Sequence, residues 1–93
     1  MNQLAAMRET LTRAQECGMP DVDGFAEGCD YWHLQDMVER VEAAMSMPGM
    51  EFSEAKLGRW LGWMQGAVVA AQVGLSLDDM KAINVSYAGE ADQ

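Results

Sequence analysis

The sequence predicts an all-α fold on three observations. Apolar residues recur at three- and four-residue spacing in four separate stretches, helix-ending residues fall between those stretches, and no βαβ alternation is present. The 93 residues have room for one domain, and a hydrophobic content of 49% is too high for a wholly disordered chain. The expected architecture is a single helical domain over residues 1–93, a small four-helix bundle with three long helices and one short one. The helices are expected at about 3–17, 31–46, 54–73 and 77–84, with a flexible tail over 85–93.

In the first helix, Leu4, Met7, Leu11 and Ala14 share one face, with Arg8, Glu9, Arg13 and Glu16 opposite. Gly18 suits the left-handed residue that closes a helix, and Pro20 prevents resumption. Met19 to Cys29 reads as a loop anchored by Val22 and Phe25. The second helix begins with Asp30 as N-cap. Its seam is Tyr31, Leu34, Val38, Val41 and Met45, and Pro48-Gly49 ends it.

The third helix starts at Ser53, another N-cap, with Glu54 in the first turn. Leu57, Trp60, Leu61, Met64, Val68 and Ala71 form a broad apolar face, and Trp63, Ala67 and Ala70 extend it nearly all round. That pattern predicts the central helix of the bundle. Ser76 with Asp79 three residues on is a capping-box variant opening the fourth helix, whose Leu77, Met80 and Ile83 should face inward. Tyr87 is the one residue of the tail expected to dock.

Composition excludes several functions. Fifteen acidic and six basic side chains give a net charge of -9, the wrong sign for contacting nucleic acid or anionic lipid directly. Trp60 to Leu75 is uncharged, but it is shorter than a membrane span and contains Gln65 and Gln72. Met1 to Met7 lacks the basic and apolar regions of a secretory leader, so a cytoplasmic protein with reduced Cys17 and Cys29 is expected. Asp21-Val22-Asp23-Gly24 fails as a calcium loop because the alignment places Met19 at the first ligand position. Cys17, Cys29 and His33 lack the completing partners of a zinc site, and Cys29 with His33 lacks the orienting group of a catalytic pair. No catalytic residue, metal or cofactor is assigned, and the expectation is a non-enzyme.

Three features remain. Gly58, Gly62, Gly66 and Ala70 form a row with a spacing of four. Each interior glycine costs about 1 kcal/mol relative to alanine, so close approach of another backbone is the expected compensation. That backbone belongs either to another helix of the chain or to a second copy across a dimer seam. Trp60 and Trp63 read either as core or as an interface hot spot, and the nine methionines suit an adaptable surface, notably Met45, Met47 and Met50 around the Pro48-Gly49 turn. Finally, the stretch from Glu16 to Glu42 has eight acids against Arg40 alone, a net of -7. Asp21, Asp23, Glu27, Asp30, Asp36, Glu39 and Glu42 form either a solvated face or a docking surface for a basic partner.

The run Lys56-Leu57-Gly58-Arg59-Trp60-Leu61-Gly62-Trp63-Met64-Gln65-Gly66, with His33-Leu34, Met37-Val38, Arg40-Val41 and Leu77-Asp78-Asp79-Met80-Lys81, resembles small uncharacterised proteins encoded by bacteriophages and prophages of Gram-negative bacteria. The resemblance spans about half of the chain, His33 to Ala82, and the first 30 residues take no part in it. It implies a phage accessory origin and a structural centre at Arg59, Trp60, Gly62, Gln65 and Gly66, with Trp63 beside them and Gln65 a buried amide needing partners. The functional expectation is a protein that binds and inhibits or modulates a host protein with a basic surface, in the manner of an anti-CRISPR or other anti-defence inhibitor. The alternatives are a homo-oligomeric structural or regulatory protein, a dimer through the glycine row, and a helical oligomer sequestering a nucleotide signal. The last would draw on Arg40, Lys56, Arg59 and Lys81 as phosphate partners.

Overall fold

The computed structural model describes residues 2–19, 28–47, 49 and 52–89. Four helices follow one another: α1 (Gln3–Glu16), α2 (Tyr31–Met45), α3 (Glu54–Ala70) and α4 (Leu77–Tyr87), and no strand occurs among the described residues. This is the all-α four-helix assembly that the apolar periodicity predicts.

The helix ends have local causes. Asn2 caps α1 by accepting from the Ala5 amide at 3.0 Å. At the other end Gly18 adopts φ 76°, its amide donates to the Gln15 carbonyl, and the Met19 amide donates to the Ala14 carbonyl, both at 3.0 Å. This paired arrangement satisfies the last carbonyls of the helix and tucks Met19 into the core. Ser53 caps α3 by accepting from the Lys56 amide at 3.1 Å. Asp30 occupies the N-cap position of α2 with extended backbone, but its carboxylate makes no capping hydrogen bond. α3 ends at Ala70, three residues short of the predicted stop, because Gln72 turns left-handed at φ 56° before Gly74 is reached. α4 runs three residues beyond the predicted 84. Tyr87 anchors it, its carbonyl accepting from the Asn2 amide at 3.0 Å and its ring packing against the core. The rest of the predicted tail, 90–93, lies outside the described residues, as does most of the 19–29 loop.

The hub of the bundle is α1, not α3. α1 packs against each of the other three helices, α3 also meets α4, and α2 and α3 barely approach each other. The reason is side-chain size. Ala6, Met7, Thr10 and Ala14 are completely buried, and three of those four are small enough for helices to close in from several directions. α3 buries Leu57, Leu61, Met64, Gln65, Ala67 and Val68 on one side only. Trp63 and Ala70 do not extend its buried face as expected; Trp63 is 51% exposed and Ala70 also faces outward. In α2 the buried seam is Leu34, Met37, Val38, Val41 and Ala44, so it ends on Ala44 and leaves Met45 outside. In α4, Met80 and Ile83 are buried, whereas Leu77 at the first turn is exposed.

One polar cluster is buried in this core. Gln65 Nε2 donates to Asn84 Oδ1 at 2.8 Å, and Asn84 Nδ2 returns a bond to Gln65 Oε1 at 3.1 Å. Gln65 Nε2 also lies 3.3 Å from Thr10 Oγ1, whose hydroxyl donates to the Ala6 carbonyl at 2.8 Å. The amide anticipated as needing partners thus joins α1, α3 and α4. Removing Gln65 strips the partly buried Asn84 amide of its reciprocal partner, while Thr10 keeps its bond to the Ala6 carbonyl; a buried polar group left unsatisfied costs about 1–3 kcal/mol. Gln65→Ala is expected to lower the urea-unfolding free energy by at least that amount. A double-mutant cycle with Asn84→Ala should show coupling of about 1 kcal/mol, whereas strict additivity would deny the paired amides an energetic role.

Ser76 and Asp79 form the predicted capping box. Ser76 Oγ accepts from the Asp79 amide at 3.2 Å, and Asp79 Oδ2 accepts from the Ser76 amide at 2.7 Å. The Ser76 amide and then the Ser76 hydroxyl hold the Asp79 carboxyl below its ordinary 3.8, against an opposing effect of burial, and the Arg13 charge adds a little to the lowering. A carboxylate whose pKa is depressed on folding contributes stability above its unfolded value. That contribution is lost as pH falls from about 3.8 through the folded value. Asp79→Asn should therefore remove part of the loss of stability on acidification below that point. Identical acid limbs in thermal melts of the two proteins would show that the box contributes nothing.

Candidate functional site

Because α2 and α3 both lean on α1 and barely approach each other, an open groove lies between them. Its two parts have volumes of about 430 Å³ and about 600 Å³ and share Arg40 and Trp60. The first is lined by His33, Asp36, Met37 and Arg40 from α2 and by Arg59, Trp60 and Trp63 from α3. The second is lined by Arg40, Ala43 and Ala44 on α2, by Phe52 and Gly49 ahead of α3, and by Lys56 and Trp60. The helices run antiparallel along it, since His33 shares one part with Trp63 and Ala44 shares the other with Lys56.

Its aromatic groups are held by specific contacts. Phe52 meets Trp60 edge-on, with centroids 4.8 Å apart and planes at 75°. Lys56 Nζ lies 4.6 Å from the Phe52 centroid and 5.4 Å from that of Trp60, so both rings face a cation. Trp63 Nε1 donates to the Gly28 carbonyl at 2.9 Å, which ties the approach to α2 onto α3. Gly28 has φ 83°, and a Cβ there would sit 3.5 Å from His33 Nε2 and from Trp63 Cζ2. Only glycine fits that turn without strain.

The charges at the groove are unlike those of the whole chain. Three of the six basic residues, Arg40, Lys56 and Arg59, line it together with the sole histidine, His33. Among the described residues its one carboxylate, Asp36, accepts from Arg40 Nε at 2.7 Å. Arg59 makes no ion pair or hydrogen bond among the described residues. Of the four phosphate partners named from sequence, Arg40, Lys56 and Arg59 are gathered here, and Lys81 stands apart on α4.

The acidic residues are more dispersed. Asp21, Asp23 and Glu27 lie outside the described residues. Asp30 heads α2, Asp36 lines the groove beside Arg40, and Glu39 accepts from Gln35 Nε2 at 3.3 Å. Glu42 turns toward α1, where Arg8 Nη2 donates to it at 2.7 Å. At about 100° per residue, Asp36 and Glu42 project about 120° apart.

The residues expected at the structural centre also divide. Gln65 is buried in the core, Trp60 is partly buried at the groove, and Arg59 and Trp63 are exposed along it. Arg59 and Trp63 stand away from the helix side that meets α1, a separation set by the 3.6-residue period. The groove itself was missed because its walls come from two different helices, so that facing residues such as Ala44 and Lys56 or His33 and Trp63 share no local pattern; the available signal was the cationic and aromatic content of Lys56-Leu57-Gly58-Arg59-Trp60.

The glycine row is not covered by the described part of the chain. A Cβ at Gly62 or Gly66 would meet nothing within 4 Å, and one at Gly58 would meet only Gln3 Oε1 at 3.5 Å. Packing of another helix of the chain against Gly62 and Gly66 is therefore corrected; the core side of α3 lies elsewhere on its circumference. Among the described residues no cluster of three metal-ligating side chains occurs, Cys17 and Cys29 are free thiols, and no helix is long and apolar enough to cross a membrane.

Compared with protein-family models, curated proteins and solved structures, the chain finds no match.

For an isolated chain, Gly62→Ala and Gly66→Ala should each stabilise by about 1 kcal/mol, since helix propensity improves and the added methyl meets open space. Destabilisation in urea melts would mean that the row is covered in solution.

Proposed function

We propose that this chain is a non-enzymatic binding protein that modulates a partner protein, with the groove between α2 and α3 as its recognition surface. The observation that carries this reading is the gathering of Arg40, Lys56 and Arg59 around Trp60, Trp63 and Phe52 in a chain of net charge -9. Tryptophan and arginine are the side chains from which interfaces draw most energy, and an open trough between helices suits a protein segment. The resemblance of the Lys56 to Gly66 run to phage-encoded proteins supports a viral accessory role in the bacterial cytoplasm, directed at a host protein such as a component of antiviral defence. Docking through the acidic residues is less well supported. Of the seven acids expected to dock, four are described, and two of those, Asp36 and Glu42, are already paired with arginines and project in different directions.

The test is capture from a lysate of a Gram-negative host with three forms of the protein. The wild type and the acid-reversed Asp30→Lys/Glu39→Lys variant should retain the same partner, and the groove variant Lys56→Glu/Arg59→Glu should lose it. Loss with the acid-reversed form and retention with the groove variant would transfer the docking role to the acidic residues.

A second reading, a homo-oligomer joined through the glycine row, is favoured by one observation, the open space over Gly62 and Gly66. Sedimentation equilibrium of wild type and Gly62→Leu decides it. A dimer reduced to a folded monomer supports the seam, and a monomeric wild type removes it.

A further inference from the structure

Resting on the groove as the recognition surface, we infer that its occupant is an amphipathic helix of a partner protein, apolar along one side and acidic along its flanks.

The shape and length of the trough favour a helix. On α2 it extends from His33 to Ala44, twelve residues spanning about 16 Å of helix. That is three turns, room for apolar anchors at positions i, i+3 or i+4, and i+7. Both long walls are helices whose backbone groups are bonded internally, and the described residues offer no strand edge. An extended peptide laid there would find no partners for its own amides and carbonyls, whereas a helix satisfies them itself. Met37, Trp60 and Trp63 give the apolar side of the helix a soft, wide surface.

Charge sets the sign of the flanks. Asp36 already neutralises Arg40 at 2.7 Å, which leaves Arg59 and Lys56 on the α3 side. Arg59 has no anionic partner within the described chain, and Lys56 faces aromatic rings. Carboxylates on the incoming helix would pair with Arg59 and Lys56, while a basic segment would meet like charge at this wall and find its attraction elsewhere on the -9 chain.

The experiment is selection of a displayed library of random 16-residue peptides on the full chain, followed by affinity measurements on the enriched sequences. The expected winners have net negative charge, apolar residues at helical spacing, and at least tenfold weaker binding to Lys56→Glu/Arg59→Glu. Lys56→Glu places a glutamate three residues after the Ser53 cap, a capping-box arrangement, so the variant keeps its α3 start. The wild type provides a check free of mutation: bound peptide should shift the Trp63 indole N–H resonance and leave that of Trp32, which does not line the groove. Winners that are basic or extended, yet shift Trp63 and lose affinity for the variant, overturn the acidic helix while preserving the groove. Winners that ignore the double substitution and leave Trp63 unshifted overturn both, as does a selection without winners. Competition of selected peptides by ATP, used as a probe of nucleotide binding, would overturn the helix in favour of a small anion.

Discussion

Everything in this molecule depends on how closely three helices approach α1. Ala6, Met7, Thr10 and Ala14 present a thin, fully buried surface, and close-packed interiors reward such surfaces by letting backbones draw near. α2, α3 and α4 each use it. Because α2 and α3 are satisfied by α1, they have little left to bury against each other, and the groove is the space between them. The groove is thus a consequence of where the core was placed.

The Thr10–Gln65–Asn84 cluster sets the relative positions of the three helices that hold that core together. Apolar side chains slide past one another at modest cost, but a reciprocal amide pair satisfies its donors and acceptors in one register. Gln65 and Trp63 are neighbours in sequence with opposite fates. The first faces the core amides, and the second reaches the Gly28 carbonyl at the groove. Registering α3 against α1 and α4 therefore also orients the tryptophan and arginine that the binding reading uses.

The electrostatic arrangement separates two levels. Over the whole chain the excess of acid keeps the surface strongly negative. Locally, half of the basic residues stand along one groove, and among the described residues one carboxylate stands with them. Exposed ion pairs such as Arg8–Glu42 contribute about 0–1 kcal/mol to stability, so this pattern does little to hold the fold.

The sequence by itself determined the elements: four helices, the Ser53 cap, the Ser76–Asp79 box, the Gly18 stop, and Leu34, Val38, Val41, Leu57, Leu61, Met64 and Val68 as core. These are local properties, decided by spacing along one helix and by hydrogen bonds across three residues. Gln65 was legible as a buried amide, though its partners Thr10 and Asn84 were not, because they are 55 and 19 residues away. Only the tertiary structure decided that α1 is the hub, that the glycine row faces outward, and that Trp63 lies at a surface groove. An apolar residue count cannot rank helices for centrality, since small side chains such as Ala6 and Ala14 score low and pack closest. The meeting of Arg40 with Arg59 and Trp60 was likewise invisible, because it arises from two helices held apart by a third.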